Sequence, residues 1–277
     1  MKNLLYKGKV RNVYQHEHLN KLYIETSDRL SSFDKHICKL KNKGEILTLI
    51  CAFMFKKTKH IIPNHYISHN NNILTVHKCV PFKIEFVVRA YITGNTVTSL
   101  WTHYNNGERN YCGINFPDNL KKNQKLEKSV ITPTTKDIED IPISKEDIVE
   151  KKYMTYDDCN FIYKKALELF EYGQELADKA GFILVDTKYE FGKDENNNII
   201  LIDELHTCDS SRYWIKETYK NRFENNMEPE KLDKDCIRDW VKQNYDPYKD
   251  KIPEIPEDLK NKTINSYSYF YDKIKNL

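Results

Sequence analysis

The sequence predicts an α+β fold in two lobes, a β-rich N-terminal lobe over residues 1–88 and a larger α/β lobe over residues 89–277. Three observations carry this expectation. The N-terminal third alternates short apolar runs with turn signals. After residue 155 a long segment traces a single apolar helical face. Directly behind it, two strand-like runs flank a polar turn.

In the N-terminal lobe, Val10 to Tyr14, Leu22 to Thr26, Ile73 to His77 and Lys83 to Val88 read as strands, because they are rich in β-branched and aromatic residues. One helix interrupts them: Ile46, Leu47, Ile50, Phe53 and Met54 fall at helical spacing after Lys43-Gly44, and Pro63 closes the region. From Gly94 to Ser144 the chain reads as irregular and turn-rich, through Asn105-Asn106-Gly107, Cys112-Gly113 and Thr132-Pro133. Connections this long in a compact enzyme tend to carry binding elements. A helix follows, signalled by Thr155 with Asp158 three residues on, and by Cys159, Ile162, Ala166, Phe170, Leu176, Ala177 and Ala180 on one face before Gly181. Phe182 to Phe191 and Ile199 to Leu205 then read as strands joined by Lys193 to Asn198. The C-terminal part adds a short helix near Asp235 to Gln243, a connection bearing Pro247, Pro253 and Pro256, and a last helix from Glu257 to Ile274.

The composition narrows the function classes. Of 277 residues, 39% are hydrophobic and 12% aromatic, enough to bury a core. The 44 basic and 41 acidic residues nearly cancel, so charge gives no reason to expect a nucleic-acid or membrane partner. No apolar run approaches the ~20 residues of a membrane span, and Met1 to Arg11 lacks the apolar core of a signal peptide, so a cytoplasmic protein is expected. The seven cysteines are widely spaced without a C-x-x-C pair and read as reduced thiols. No Ser/His/Asp or Cys/His set marks a covalent nucleophile, and lone histidines such as His103 and His206 read as surface or structural groups.

The chemistry concentrates between Leu184 and Trp214. Period-two alternation puts Asp186, Lys188 and Glu190 on one face of their strand, opposite Val185, Thr187 and Tyr189. Asp203 joins that face if the connecting loop holds an even number of residues. Paired carboxylates beside a fixed cation suit Mg²⁺, which takes one or two carboxylates from protein and fills the rest with water and phosphates. The same alternation also describes a solvated hairpin face laced with cross-strand ion pairs, and the pattern by itself favours that reading over a metal site.

Taken together, Asp186-Thr187-Lys188-Tyr189-Glu190-Phe191-Gly192, Asp203-Glu204-Leu205 and Asp209-Ser210-Ser211-Arg212-Tyr213-Trp214 resemble the signature of the SAICAR synthetases. Elsewhere, Lys7-Gly8-Lys9-Val10-Arg11-Asn12-Val13-Tyr14 resembles that family's phosphate-covering turn, with Asn12 where Asp is usual. Ser27 to Asp34 and Lys43-Gly44-Glu45-Ile46-Leu47-Thr48 resemble its next two runs. Glu85 to Gly94 resembles its crossing between lobes, with Ala90 and Asn95 in place of a frequent Gly and a usual Ser. Thr132-Pro133-Thr134-Thr135-Lys136 and Leu232-Asp233-Lys234-Asp235 with Arg238-Asp239-Trp240 continue the likeness, Glu139-Asp140 replacing a His-Asp pair.

The resemblance, running from Lys7 to Trp240, implies a fold related to the ATP-grasp architecture and an ATP- and Mg²⁺-dependent ligase of purine biosynthesis. Such an enzyme joins the carboxylate of CAIR to the amine of L-aspartate, through a phosphorylated carboxylate. It further implies that Lys188, Arg212 and Lys136 are catalytic, and that Gly8, Lys9, Arg11, Glu85, Lys188, Glu190 and Asp203 bind ATP, the last two holding the metal. Arg89, Asn95, Thr135, Lys136, Asp140, Asp209, Arg212, Lys234 and Arg238 are implied to bind substrate. The partners so implied are CAIR, aspartate and ATP, with monomer and homodimer both open. Two other readings remain on the residues alone: a small-molecule kinase, since a Gly turn and Mg²⁺ carboxylates serve both chemistries, and a basic RNA-binding protein, against which the balanced charge speaks.

Overall fold

A computed structural model describes residues 3–33, 35–96, 99–136, 140–232 and 234–277 of the chain. Asp34, Glu139 and Asp233, singled out above, lie outside the described residues. The chain opens with β1 (Leu4–Lys7), β2 (Arg11–Gln15), β3 (Lys21–Thr26), a small hairpin of β4 (Arg29–Ser32) and β5 (Lys35–Lys39), α1 (Lys43–Thr58), β6 (Tyr66–Asn70) and β7 (Ile73–His77). Five of these strands form one antiparallel sheet in the order β1-β2-β3-β7-β6. Helix α1 buries Leu47, Ile50, Met54 and Phe55 in a core shared with Ile24, Leu74 and Val76 of the sheet. Its first turn runs so close to β3 that a Cβ on Gly44 would overlap the Thr26 carbonyl oxygen.

The second sheet is the scaffold of the site. Its strands are β8 (Val80–Ile92), β11 (Gln124–Thr135), β12 (Phe182–Lys193), β13 (Ile199–Ile202) and β14 (Ser211–Ile215). Between β8 and β11 lie α2 (Leu100–Asn105), β9 (Asn110–Tyr111) and β10 (Ile114–Asn115); between β11 and β12 lie α3 (Lys145–Glu150) and α4 (Tyr156–Lys179). The order is β11-β8-β12-β13, with β14 also pairing β12. Residue 88, where the lobe boundary is expected, lies inside β8, all of whose pairing belongs to this sheet. Helix α4 covers the sheet's back through Ile162, Ala166, Leu169 and Phe170. It begins as expected, Thr155 Oγ1 accepting from the Asp158 N–H at 3.1 Å, and ends at Gly181 with φ 86°. The C-terminal segment supplies α5 (Lys216–Glu224), α6 (Asp235–Asn244) and α7 (Glu257–Ile274).

The segment from Gly94 to Ser144 differs from expectation: it contains a 12-residue strand, β11. Pro133 and the charged Lys125, Glu127 and Lys128 masked it. A proline is tolerated there because β11 is an edge strand, and Pro133 sits opposite Phe86 without an N–H to offer the ladder. A separate apolar cluster of Leu30, Phe33, Cys38, Leu40, Ile237, Val241 and Ile255 ties the β4–β5 hairpin to α6. Among the described residues no helix is long and apolar enough to cross a membrane, and all seven cysteines are free.

Candidate active site

Strand β12 sets out one half of the site. Its register places Asp186 opposite Arg89, Lys188 opposite Val87 and Glu190 opposite Glu85, so the charged residues of β8 and β12 share one face. That face is not a solvated surface: Glu190 is 3% exposed and Asp186 6%. Lys188 Nζ donates to Glu85 Oε1 at 2.8 Å and to Glu190 Oε1 at 2.7 Å, and lies 3.8 Å from Asp203 Oδ2. Lys136, at the end of β11, reaches the other oxygen of Glu190. Burial opposes the charge on Lys188, but Glu190, Glu85 and Asp203 outweigh it and hold the amine protonated well above its ordinary range.

Asp203 reaches this face by a route the alternation did not foresee. The register pairs Lys193 with Ile199 and Glu190 with Ile202, leaving a turn of residues 194–198, an odd number. Continued pairing would have put Asp203 on the side of Tyr189. Instead β13 stops at Ile202, three residues short of the expected Leu205, and Asp203 adopts a left-handed backbone with φ 66°. This bend returns the carboxylate to the face of Lys188, with Asp203 Oδ2 3.8 Å from Lys188 Nζ. Arg11 of β2 donates to Asp203 Oδ1 at 2.8 Å and pairs with Glu204. Burial works to raise the Asp203 pKa, yet Arg11 and Lys188 prevail and hold it well below the usual carboxylate range. For Glu190 burial is the largest influence, and with Asp203 beside it the pKa is raised. Among the described residues no three His, Cys or acidic ligands converge, so a cation here would draw on this carboxylate pair and complete its shell from solvent and substrate.

The turn of the β1–β2 hairpin closes this half. Gly8 N–H donates to the Arg11 carbonyl at 2.7 Å, and Arg29 holds the Lys9 and Gly8 carbonyls. Lys9 stands exposed on that turn, while Arg11 points inward.

The second half is a cavity of about 200 Å³ lined by Arg89, Asp186, Ser210, Arg212, Lys234 and Arg238, with Thr96, Ser99 and Cys208 among its other walls. Its cations are held by a chain of buried acids. Arg212 pairs with Asp186 and donates to Asp235 Oδ2 at 3.0 Å; Arg238 donates to Asp235 Oδ1 at 2.7 Å and to Ser32 at 2.8 Å; Arg89 donates to Thr132 at 2.8 Å. Lys234 is different. Burial, reinforced by Arg238 and Lys43, lowers its pKa to about 8 despite the pull of Asp209. A wider surface hollow of about 600 Å³ runs along α7 past Asp258, Asn261 and Tyr269, and shares none of these lining residues.

Not every expected residue faces a ligand-sized space. Asp209 lines the cavity, but its oxygens are taken by Lys43 Nζ at 2.6 Å and the Tyr267 hydroxyl at 2.8 Å. Asn95 turns its amide to Asp239 of α6 at 3.0 Å, while Lys242 caps its carbonyl. Thr135 is buried at the end of β11, and Asp140 is exposed. Sequence reasoning missed the buried partners Lys43, Tyr267 and Asp235. The Lys43-Gly44 run was visible, but nothing local places Lys43 beside a carboxylate 166 positions away.

The family model for SAICAR synthetase matches residues 4–255. The phosphoribosylaminoimidazole-succinocarboxamide synthase of Legionella pneumophila (strain Lens) is 48% identical over 272 residues, covering 97% of this chain and 86% of that protein. The chloroplastic phosphoribosylaminoimidazole-succinocarboxamide synthase of Vigna aconitifolia is 47% identical over 256 residues, covering 91% and 74%. Among solved structures, the SAICAR synthase from Saccharomyces cerevisiae complexed with SAICAR superposes with a TM-score of 0.83 at 27% identity, over all of this chain and 95% of that one.

Proposed function

The chain belongs to the SAICAR synthetase family, and on that premise we propose that it uses ATP to join the carboxylate of CAIR to the amine of L-aspartate, yielding SAICAR, ADP and phosphate. The observation that carries this reading is the family match across both halves of the site, from the β1–β2 turn to α6. A kinase is the weaker alternative, because the curated relatives are succinocarboxamide synthases by name. The test is product stoichiometry. ADP release that requires CAIR and aspartate together supports the ligase, whereas ADP release with a hydroxyl acceptor and no aspartate would overturn it.

Carboxylate and amine do not condense readily in water, so the carboxylate must first be activated, and ATP can do this by phosphorylating it. We assign the ATP phosphates to the half bounded by Gly8, Lys9, Arg11 and Lys188, and CAIR to the cavity of Arg89, Arg212, Lys234 and Arg238. Glu190 and Asp203 fit a divalent cation: both carboxylates lie against the Lys188 amine, and the pair offers the hard oxygen ligands that a Mg²⁺ would take. When bound with ATP, Mg²⁺ would neutralise phosphoryl charge. Glu85 keeps the Lys188 amine aimed into this half, and Lys136, 43% exposed at its side chain, is free to move from Glu190 toward acidic substrates. Arg212, fixed between Asp186 and Asp235, orients CAIR with its planar donor fork. Thr135, next to Lys136, and the exposed Asp140 belong to the aspartate side of this assignment, while Asn95 and Asp209 serve it by holding α6 and the Ser210–Arg212 run. The reading divides the work between an N-terminal lobe over the phosphates and a larger lobe carrying CAIR. Positioning and electrostatics supply most of the rate in such a site. A cytoplasmic setting is part of the same proposal, supported by the free thiols.

A further inference from the structure

The loop from Asp203 to Ser210 carries residues of both halves: Asp203 and Glu204 face Arg11, while Cys208, Asp209 and Ser210 line the CAIR cavity. Two of its residues that bear a Cβ hold left-handed backbones, Asp203 at φ 66° and His206 at φ 51°. Such conformations persist only where the surroundings over-determine them.

His206 is the over-determined residue. It is fully buried, and its Nε2 lies 2.5 Å from the Tyr189 hydroxyl. Its carbonyl accepts from the Tyr213 hydroxyl at 2.9 Å. Its ring fills a notch in α4 that exists only because residue 173 is glycine: a Cβ there would lie 2.8 Å from Nδ1 and nearer still to Cε1. The loop is therefore pinned at one point to β12, β14 and α4 together. Tyr189 stands between Lys188 and Glu190 in β12, so the pin bears directly on the strand that presents those groups. Burial keeps the ring neutral, its pKa lowered to about 3, so the contact does not depend on charge over the working range of pH.

We propose that His206, seated against Gly173 and bonded to Tyr189, is a positioning residue that fixes the separation of the two half-sites. It holds Asp203 at the ATP phosphates and Ser210 and Arg212 at CAIR in one geometry. The proposal rests on the assignment of those two halves made above.

The test compares Tyr189→Phe, His206→Leu and His206→Gln with wild type. ATP affinity is measured by calorimetry, the KM for CAIR and kcat by turnover, and the thermal midpoint separately. Losing the bond in Tyr189→Phe or His206→Leu is expected to weaken ATP binding and raise the CAIR KM together, each by about fivefold, with kcat at saturation within about twofold. Gln can return a hydrogen-bonding group to the position of Nε2, so His206→Gln is expected to stay within about twofold of wild type in both ligands. Variants that lower the thermal midpoint while both affinities stay at wild type would reduce His206 to packing and overturn the proposal. So would a Gln variant no better than Leu. Asp203→Asn serves as the control: unchanged ATP affinity there would overturn the assignment of the halves, independently of His206.

Discussion

At the scale of single residues, the site depends on which charges are neutralised before any ligand arrives. Glu190→Gln or Asp203→Asn is expected to abolish Mg²⁺-dependent turnover while the circular dichroism spectrum stays native, because each removes one member of a pair that fits a divalent cation. Near-normal turnover at low Mg²⁺ in either variant would remove the metal assignment. Lys234 titrates within reach. Its pKa is lowered to about 8, so the amine is charged below that pH and loses its proton as pH rises through it. The KM for CAIR should therefore climb above about pH 8, and Lys234→Arg should flatten that limb because a guanidinium stays protonated. Legibility at this scale was uneven. The shared face of Asp186, Lys188 and Glu190 could be read from alternation, since strand period is strict. Asp203 could not, because a left-handed bend at a non-glycine residue leaves no mark in the pattern.

At the scale of elements, the best-read segment was α4, which has a cap, an apolar face and a terminating glycine all encoded within it. Thr155→Ala deletes the bond to the Asp158 N–H and should cost roughly 1 kcal/mol in denaturant unfolding, with the unfolding slope unchanged. A cost near zero would mean that tertiary packing alone sets the helix start. Strand β11 was the worst-read, for the opposite reason. Its identity is decided by β8, to which it pairs over most of its length, and its own composition of charges and a proline speaks for a loop. Tertiary partners override local propensity most readily at a sheet edge.

At the scale of the whole molecule, long-range ion pairs do what the local sequence cannot announce. Lys43 and Asp209 are 0% and 5% exposed at their side chains, and Lys43→Met would strand a buried carboxylate, costing about 3–5 kcal/mol. Burial opposes the Asp209 charge, but Lys43 prevails and keeps its pKa well below the ordinary value. A carboxylate so depressed stabilises the fold at pH above its unfolded pKa of about 3.9, and that stability is lost as pH falls toward the folded value. Acid titration of unfolding should therefore be steeper in wild type than in Lys43→Met; identical slopes would show that the pair is not the acid-sensitive element. Elsewhere the segment leading into β6 is stitched by backbone to β13, with Leu201 N–H donating to the Pro63 carbonyl at 3.0 Å and His65 N–H to the Leu201 carbonyl at 3.0 Å. The stitch lies two residues from Asp203. Separating the two sheets along this seam would draw on the strand end that bears the carboxylate, so Asp203 keeps its place only while the seam stays closed.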